Sequence, residues 1–314
     1  MRALVLAGLL SLPAFALAQG WTVPPDSQRC PSRWGAGDER GSGNHMKEPK
    51  VVLRGARLIK TGEIIELGHV LGPGMPFFGT RIFNLQTKRT VMNAGRNTRG
   101  SNEEMVTSEI GQVGTQFDAF SHQTHGDSLY NCFKLSDIGS RSGFTKLGVQ
   151  NAPTFFTRGV LIDVAGAKGV EMLGDTYEIT AADLQSALQK EKLTLEPGDA
   201  VIIHTGWGKL YGKDNPRFVK TQPGIGIGAA EWLAKQDPSL VGADNWGVEV
   251  APNPDKDLSL PVHQVMLVVN GIHLLENLKL DELVAKRVYE FAFTMQPLKI
   301  YGATGSTVAP AAIR

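Results

Sequence analysis

The sequence lacks several features that mark large classes of proteins. Lys and Arg together number 32 and Asp and Glu number 31, so the formal net charge is +1. Without a basic excess, the chain has no electrostatic footprint for nucleic acid. Beyond the first 18 residues, no apolar run is long enough to cross a bilayer. We therefore expect neither nucleic acid nor a membrane as a partner.

Motifs for several kinds of catalysis are also missing. The chain contains no Gly-x-Ser-x-Gly nucleophile elbow, and no phosphate loop or dinucleotide fingerprint stands between a strand pattern and a helix pattern. The segment 224–228 is rich in glycine, but it follows Pro223 and a charged loop, which is typical of a turn before a helix. The remaining candidates for chemistry are His, Asp and Glu side chains.

Only two cysteines are present, Cys30 and Cys132. In an oxidising compartment they can form a disulfide, which would close a loop of about a hundred residues and stabilise the fold by about 4 kcal/mol. Cys30 lies in a segment poor in aliphatic residues, so one buried and one exposed free thiol is the alternative. Neither cysteine has the surroundings of a catalytic nucleophile.

The first residues have the composition of an export signal. A positive start at Arg2 is followed by a short apolar stretch, and small residues surround Leu17 before the expected cleavage point. This order is typical of a secretory signal peptide. We expect residues 1–18 to be removed after Ala18, which predicts a periplasmic or secreted protein. Retention of this segment as an anchor at a membrane surface is the alternative.

The rest of the chain divides into two parts. Residues 19–50 are rich in Gly, Pro, Ser and charge, which predicts an extended N-terminal arm outside the core, with a solvated His45. Residues 51–314 contain no boundary and no internal repeat, so we expect a single domain. Residues 79–103 are predicted to be a long loop or an irregular hairpin.

Strand and helix patterns interleave within residues 51–314. Helices are predicted at 228–234, at 281–286 and after Thr180, a helix-capping residue with an acid three positions later. This interleaving predicts an α/β fold. The strands predicted from apolar runs or alternation are 51–53, 63–67, 159–165, 200–205, 240–244, 265–269 and 288–295.

The stretch 114–125 concentrates groups that can carry chemistry. Asp118 and His122 stand four positions apart, behind a Gly-Thr pair that indicates a tight approach of the backbone. Such a cluster can bind a metal or perform acid–base catalysis. Alternatively, Asp118 caps a turn and His122 is a structural histidine. We interpret His125 and His273 as structural.

A second pair of candidates flanks the apolar run 265–269. His263 precedes this run and Glu276 follows it, directly after two leucines. Carboxylates buried in apolar surroundings are paired, coordinated or protonated. The alternatives are a structural role for His263 and an ion pair with Lys or Arg for Glu276.

Taken together, these motifs resemble the cyclase family of metal-dependent hydrolases, which includes bacterial kynurenine formamidase and isatin hydrolase. The resemblance implies a swivelling β/β/α-type single domain, with a mixed sheet and flanking helices, that forms homodimers or larger homo-oligomers. The segments that carry it are, in order, Gly114-Thr115-x-x-Asp118-x-x-x-His122, Arg158-Gly159-Val160-Leu161-Ile162-Asp163, Gly198-Asp199, Thr205-Gly206-Trp207, Gly242-Ala243-Asp244, Pro261-Val262-His263, Glu276-Asn277-Leu278 and Gly302-x-x-Gly305-Ser306.

The early part of the family signature is His-x-Gly-Thr-His-x-Asp-x-Pro-x-His. Its Asp and its last His correspond to Asp118 and His122. Gln112 and Gln116 stand where two metal-binding histidines usually stand, and Phe120 replaces the Pro. This departure implies that one of two family metal positions is altered.

The later His and Glu of the family correspond to His263 and Glu276. A neutral Gln carbonyl is a weaker ligand that suits Mn or Mg better than Zn. His122 would then remove or return a proton, since the ordinary pKa of His is about 6.5. The resemblance thus implies one divalent metal ion, Mn or Zn, held by four side chains, namely Gln116, Asp118, His263 and Glu276.

These assignments predict a small-molecule hydrolase that cleaves a C–N or C–O bond of a carbonyl compound such as a formamide, a cyclic amide or a lactone. The two glutamines of the signature support a second hypothesis, a non-catalytic binding protein or a degenerate family member. Four aromatic residues either form an apolar wall for a flat ring or belong to the ordinary core, namely Phe117, Phe120, Trp207 and Trp246.

Overall fold

The computed structural model describes residues 20–314 with the exception of residue 94. The predicted signal peptide, residues 1–18, lies outside the described residues. The strands are β1 (Ile64–Glu66), β2 (Phe83–Met92), β3 (Gly100–Ser108), β4 (Gln116–Asp118), β5 (Phe155–Asp163), β6 (Glu178–Ile179), β7 (Ala200–His204), β8 (Gly224–Ile225), β9 (Leu240–Ala243), β10 (His273–Glu276), β11 (Glu290–Met295), β12 (Gly305–Thr307) and β13 (Ala311–Ile313).

Helices connect most of these strands. Short 3₁₀ turns span Gly41–Lys47, Tyr130–Cys132, Val149–Asn151 and Trp207–Leu210, and a π-helix spans Gln264–Asn270. The α-helices are α1 (Asp26–Arg29), α2 (Pro49–Ala56), α3 (Leu135–Ile138), α4 (Val164–Ala167), α5 (Ala181–Glu191), α6 (Asn215–Lys220), α7 (Ile227–Lys235), α8 (Pro261–His263) and α9 (Asp281–Ala285). Among the residues that the structure describes, no helix has the length and apolar character needed to cross a membrane.

A large mixed sheet organises the domain, with the strand order β1-β13-β11-β5-β7-β9-β10-β4-β12. Its central strands β5, β7, β9 and β10 are parallel, and the strands on either side pair in antiparallel fashion. Two small sheets, β2–β3 and β6–β8, complete the fold. The predicted α/β single domain, with a mixed sheet and flanking helices, is confirmed.

The central strands are buried on both faces. In β5, Val160 and Ile162 belong to the core cluster that includes helices α5 and α7, whereas Leu161 between them belongs to a second cluster on the other face. Because successive strand residues point to opposite faces, a strand covered on both sides is a continuous apolar run. Each such aliphatic side chain stabilises the fold by roughly 1.5–3 kcal/mol.

Helix α5 begins as the sequence predicts. The Thr180 hydroxyl accepts a hydrogen bond from the Asp183 backbone N–H at 3.2 Å, and the Asp183 carboxylate accepts one from the Thr180 N–H at 2.9 Å. This capping box satisfies two N–H groups that a helix start leaves without intrahelical partners. Leu184 and Leu188 then face the core.

Two of the predicted strands are wrong because they are helical. Residues 51–53 lie in α2, where Pro49 starts the helix and only Val51 and Gly55, one turn apart, are buried. Residues 265–269 lie in the π-helix, in which the side chains from Val265 to Val268 are all buried. A short apolar run that is buried all round does not distinguish a helix from a strand.

Residues 79–103, predicted as a long loop or an irregular hairpin, contribute to the β2–β3 hairpin. The two strands pair in antiparallel register with an irregularity between Arg89 and Val91. Phe83 at the base of the hairpin is buried, whereas the side chains of β3 are almost all exposed. The irregular hairpin is therefore the alternative that the structure confirms.

The N-terminal segment packs against its own chain. Arg29 is buried and donates to the Leu129 carbonyl at 3.1 Å. Cys30 and Cys132 form a disulfide with their Cα atoms 6.0 Å apart, which resolves the two alternatives for the cysteines. The expectation of an extended arm outside the core is therefore wrong for residues 20–50.

His45 is the clearest correction within this segment. It is 3% exposed rather than solvated. Its Nδ1 lies 2.8 Å from a Glu48 oxygen and its Nε2 lies 3.0 Å from a carboxylate oxygen of Asp237, next to helix α7. The contact with Asp237 ties the N-terminal segment to the body of the domain, and the contact with Glu48 lies within that segment.

Candidate metal centre

Strand β4 delivers two candidate ligands to the same face of the sheet. Gln116 and Asp118 are two positions apart, so their side chains point the same way. β4 lies between β10 and β12, and the register places Gln116 opposite Glu276 and Asp118 opposite Gly305. All three candidate side chains, Gln116, Asp118 and Glu276, are at most 2% exposed. The sheet therefore brings residues 160 positions apart in sequence together.

The backbone at Gly114 packs closely against Leu71 directly before β4 begins. Gly114 has a positive φ of 64°, and a Cβ at this position would overlap the side chain of Leu71. Thr115 then accepts a hydrogen bond from the His69 backbone N–H at 2.9 Å and donates to the Asn277 carbonyl at 2.6 Å. The Gly-Thr pair thus fixes β4 against the chain that follows Glu276.

His263 is oriented by a carboxylate that the sequence reasoning missed. Glu249 accepts hydrogen bonds from the backbone N–H groups of Val262 at 3.1 Å and His263 at 3.0 Å. The same carboxylate lies 2.5 Å from His263 Nδ1. With Nδ1 engaged, Nε2 is left to face Glu276 at 3.2 Å. A carboxylate behind a histidine in this way is a common support for metal ligands.

Three ligand atoms converge at the centre of this arrangement. Asp118 Oδ2 lies 3.7 Å from His263 Nε2 and 3.9 Å from His122 Nε2. One ligand atom from each of these residues lies within 4.8 Å of the others. A tetrahedral ion with bonds of about 2.1 Å holds its ligand atoms about 3.4 Å apart, so this spacing requires only a small contraction.

The hydrogen bonds of the cluster test whether it suits a cation. Asp118 Oδ2 and Gln116 Oε1 are buried acceptors that have no hydrogen-bond partner among the residues that the structure describes. Leaving such groups unpaired costs about 1–3 kcal/mol each, and more for a charged group. Two unsatisfied oxygen atoms beside two imidazoles and the Glu276 carboxylate form a donor set of the kind that binds Mn or Zn. The residues present therefore fit a divalent metal ion.

Two glutamines determine which carboxylate atoms remain free. Gln112 Nε2 donates to Asp118 Oδ1 at 3.3 Å, and Gln116 Nε2 donates to Glu276 Oε2 at 2.5 Å and to Gln112 Oε1 at 3.3 Å. These amides satisfy one oxygen of each carboxylate. The second oxygen of Asp118 is thereby directed to the two histidines.

Burial dominates the electrostatics of the cluster. It raises the pKa of Asp118 to about 6, with the neighbouring histidines acting against it. Burial also lowers the pKa of His122 below its usual value of 6.5. For His263, burial acts downward, but hydrogen bonds to Glu249 and Glu276 outweigh it and raise the pKa well above 6.5. Negative charge therefore accumulates around His263, which favours a cation there.

The structure brings all five predicted site residues into one cluster, and their individual roles stay predictions. Exposed His125 and buried His273 lie outside the cluster, and His273 packs against Phe120. Of the four aromatic candidates, Trp246 is partly exposed, whereas the other three are fully buried core residues, namely Phe117, Phe120 and Trp207. The five clustered residues are Gln116, Asp118, His122, His263 and Glu276.

Fold and cluster together define a mixed α/β protein with a candidate site for a metal ion. A family model described as "Putative cyclase" matches residues 65–250. A crystal structure of a novel cyclase is 33% identical, with a TM-score of 0.82, over 90% of this chain and 98% of that chain. The chain belongs to the cyclase family, as the sequence motifs predict.

Two isatin hydrolases share the fold at lower identity. Isatin hydrolase A from Ralstonia solanacearum is 20% identical over 80% of this chain and 92% of that chain, with a TM-score of 0.59. An isatin hydrolase bound to the product analogue thioisatinate is 22% identical over 80% of this chain and 91% of that chain, with a TM-score of 0.57. A search of the curated proteins finds no match.

Proposed function

We propose that this protein is a metal-dependent hydrolase that cleaves a C–N or C–O bond of a small carbonyl compound, such as a formamide, a cyclic amide or a lactone. The observation that carries this proposal is the convergence of Asp118, His122 and His263. The fold shared with isatin hydrolases supports hydrolysis as the class of reaction.

One divalent ion, Mn or Zn, is the proposed cofactor. Asp118, His263 and Glu276 would hold it, with Gln116 Oε1 as a neutral ligand that favours Mn. When bound, such an ion activates water for attack and polarises a carbonyl group. A single ion is supported by Gln112, whose amide donates to Asp118 instead of offering an imidazole.

His122 is the proposed acid–base group. Its side chain is 18% exposed, against 0% for Asp118 and 3% for His263, so it is the member of the trio that a substrate reaches most easily. Because burial lowers its pKa, the ring is neutral near pH 7 and accepts a proton. The positive charge of Arg81 contributes in the same direction.

We further propose that the protein is exported and self-associates. The signal-like composition of residues 1–18 and the disulfide between Cys30 and Cys132 support an oxidising compartment, either periplasmic or extracellular. Formation of a homodimer or a larger homo-oligomer rests on the family resemblance. The proposed partner is a small-molecule substrate rather than nucleic acid or a membrane.

A non-catalytic binding protein is the second candidate function. It is favoured by the amide contacts of Gln112 and Gln116, which satisfy one oxygen each of Asp118 and Glu276 without any ion. A cluster of this kind can persist as a polar network that binds a ligand but has no metal-activated water. Metal content and turnover separate the two candidates.

The test combines metal analysis with a substrate screen. Protein supplied with Mn or Zn is expected to retain one ion per chain and to hydrolyse one class among formamides, cyclic imides, lactones and aryl esters. Asp118→Asn should lose bound metal and at least about 100-fold in kcat/KM, because it removes the charge at the centre of the cluster. Asp137→Asn, at an exposed position, is the matched control.

Two outcomes decide between the candidates. If Asp118→Asn changes neither metal content nor hydrolysis, the proposed hydrolase is wrong. If the wild-type protein binds no metal and turns over none of the four classes, yet binds small carbonyl compounds, the non-catalytic alternative is supported.

A further inference from the structure

An apolar cavity of about 430 Å³ includes Leu260, three positions before His263, in its lining. This volume is in the range of small-molecule sites. Its polar groups are few, with Lys220 as the one charged residue of the lining. The apolar part of the wall consists of Phe78, Trp246, Ala251, Pro252, Leu258 and Leu260.

Two backbone connections join this cavity to the cluster. Leu260 adopts a left-handed conformation directly before the short helix α8 that ends at His263. Trp246 precedes Gly247, where an added Cβ would lie 2.7 Å from the Gln222 amide and 3.9 Å from His263 Cε1. The backbone after Trp246 thus passes within contact distance of the His263 ring, and an added Cβ would overlap the end of the Gln222 side chain.

A third connection runs through Phe78. The Phe78 ring stacks on Trp246 with the ring centroids 4.5 Å apart. The Arg81 guanidinium lies 5.6 Å from the centroid of the Phe78 ring. Arg81 also donates to the Gln112 carbonyl at 2.9 Å. Phe78 therefore lines the cavity and contacts Arg81, which is bonded to the backbone of Gln112, the residue whose amide donates to Asp118.

Trp246 holds a hydrogen-bond donor without a partner. Its backbone N–H donates to Gln222 at 2.8 Å, but its indole Nε1 is buried and makes no hydrogen bond within the described residues. An unpaired buried donor is costly. Because this nitrogen has almost no accessible surface, Trp246 contributes its apolar ring to the cavity wall rather than its N–H group.

Lys220 supplies the only formal charge of the cavity lining. It ends helix α6, it is exposed, and within the described part of the chain it forms no ion pair. A cation on the rim of an apolar cavity attracts an anionic group attached to an apolar body. The exposed ammonium group therefore suits a carboxylate on the bound molecule.

We propose that this cavity is the specificity pocket of the enzyme and that it selects substrates with an apolar ring or chain bearing a carboxylate. This inference rests on the proposed hydrolase function for its biological meaning. The binding property itself is independent of turnover, because the cavity and Lys220 lie outside the candidate ligands.

The test compares two probes of the same shape, 3-phenylpropanoate and 3-phenylpropanamide, by calorimetry at low salt. The wild-type protein should bind the carboxylate roughly three- to tenfold more tightly than the amide. Lys220→Met should abolish this preference, and the exposed Lys213→Met of the same segment should retain it. Trp246→Ala, which removes the ring that lines the cavity and stacks on Phe78, should weaken both probes.

Turnover extends the test to the reaction. For formanilide and its para-carboxylate, the carboxylate should have the lower KM, and Lys220→Met should raise that KM without changing kcat. The proposed specificity pocket is contradicted if the wild-type protein binds the two probes equally, or if Lys220→Met keeps the preference for the carboxylate. If the preference depends on Lys220 but none of the four substrate classes of the screen is hydrolysed, the pocket is supported and the hydrolase proposal is contradicted.

Discussion

Glu249 determines how His263 enters the cluster. Its carboxylate accepts two backbone N–H groups at the start of α8 and the Nδ1–H of the ring, so it fixes both the position and the rotation of His263. An imidazole held in this way presents Nε2 with a defined direction and greater basicity. Glu249 is a positioning residue, since the ligand atoms of the cluster lie on other side chains.

Glu249→Gln tests this role at the scale of one residue. A Gln has one acceptor oxygen for three N–H donors, and its own amide N–H₂ would face at least one of them, so His263 should lose its fixed direction. Mn or Zn affinity is expected to fall about 10–100-fold. A competition titration against a chromophoric chelator measures this change.

The exposed Glu104 of β3 offers a matched control for that titration. Glu104→Gln should bind metal as the wild-type protein does. An unchanged affinity in Glu249→Gln, with the fold intact by circular dichroism, would show that His263 either needs no such support or is not a ligand.

The sequence predicts the candidate ligands of the cluster better than it predicts Glu249, the residue that orients one of them. Asp118, His263 and Glu276 stand out because each is a polar group beside glycine, proline or apolar residues, and the order of motifs links them. Glu249 has a comparable signal, since it stands between Val248 and Val250 as Glu276 follows two leucines. No local pattern reveals that Glu249 pairs with His263, because only the tertiary fold brings these two residues together.

At the scale of elements, burial explains which predictions succeed. Strands β5, β7 and β9 are short apolar runs that are bounded by turns and covered on both faces. Their length and their composition therefore both indicate a strand. The run 265–269 has the same composition but forms a π-helix, in which the side chains from Val265 to Val268 are also buried. Only its neighbours in space, which include α7, determine that outcome.

The attachment of the N-terminal segment should depend on pH through His45. Burial lowers the pKa of His45, but its bonds with Asp237 and Glu48 outweigh burial, so the net pKa is raised above 6.5. The folded state therefore binds the proton more tightly than the unfolded state does. This contribution to stability is fully present below pH 6.5 and is lost as the pH rises through the raised pKa.

Urea unfolding of the wild-type protein and of His45→Gln measures this contribution. The difference between their unfolding midpoints should be largest below pH 6.5 and should shrink at higher pH, because only the wild-type protein loses the charged contacts. His125→Gln, at an exposed histidine outside both the segment and the cluster, should show no such trend. A pH-independent difference for His45→Gln would indicate that packing, not charge, holds the segment.

At the scale of the whole molecule, one covalent link joins distant parts of the chain. The disulfide spans 102 positions, from the N-terminal segment to the 3₁₀ turn at Tyr130–Cys132. Cross-linking a loop of this length restricts the unfolded chain by about 4–5 kcal/mol on the chain-entropy view. The composition of residues 19–50 gave no sign of this attachment, since many of the contacts that hold the segment are polar and long-range.

Replacing both cysteines, as Cys30→Ser with Cys132→Ser, should lower the free energy of unfolding by about 2–4 kcal/mol. Metal affinity should stay unchanged, because Asp118 and His263 are held by the sheet and by Glu249 rather than by the N-terminal segment. Urea denaturation and a metal titration on the same sample measure both quantities. A loss of metal binding with little loss of stability would instead place the N-terminal segment among the elements that build the cluster.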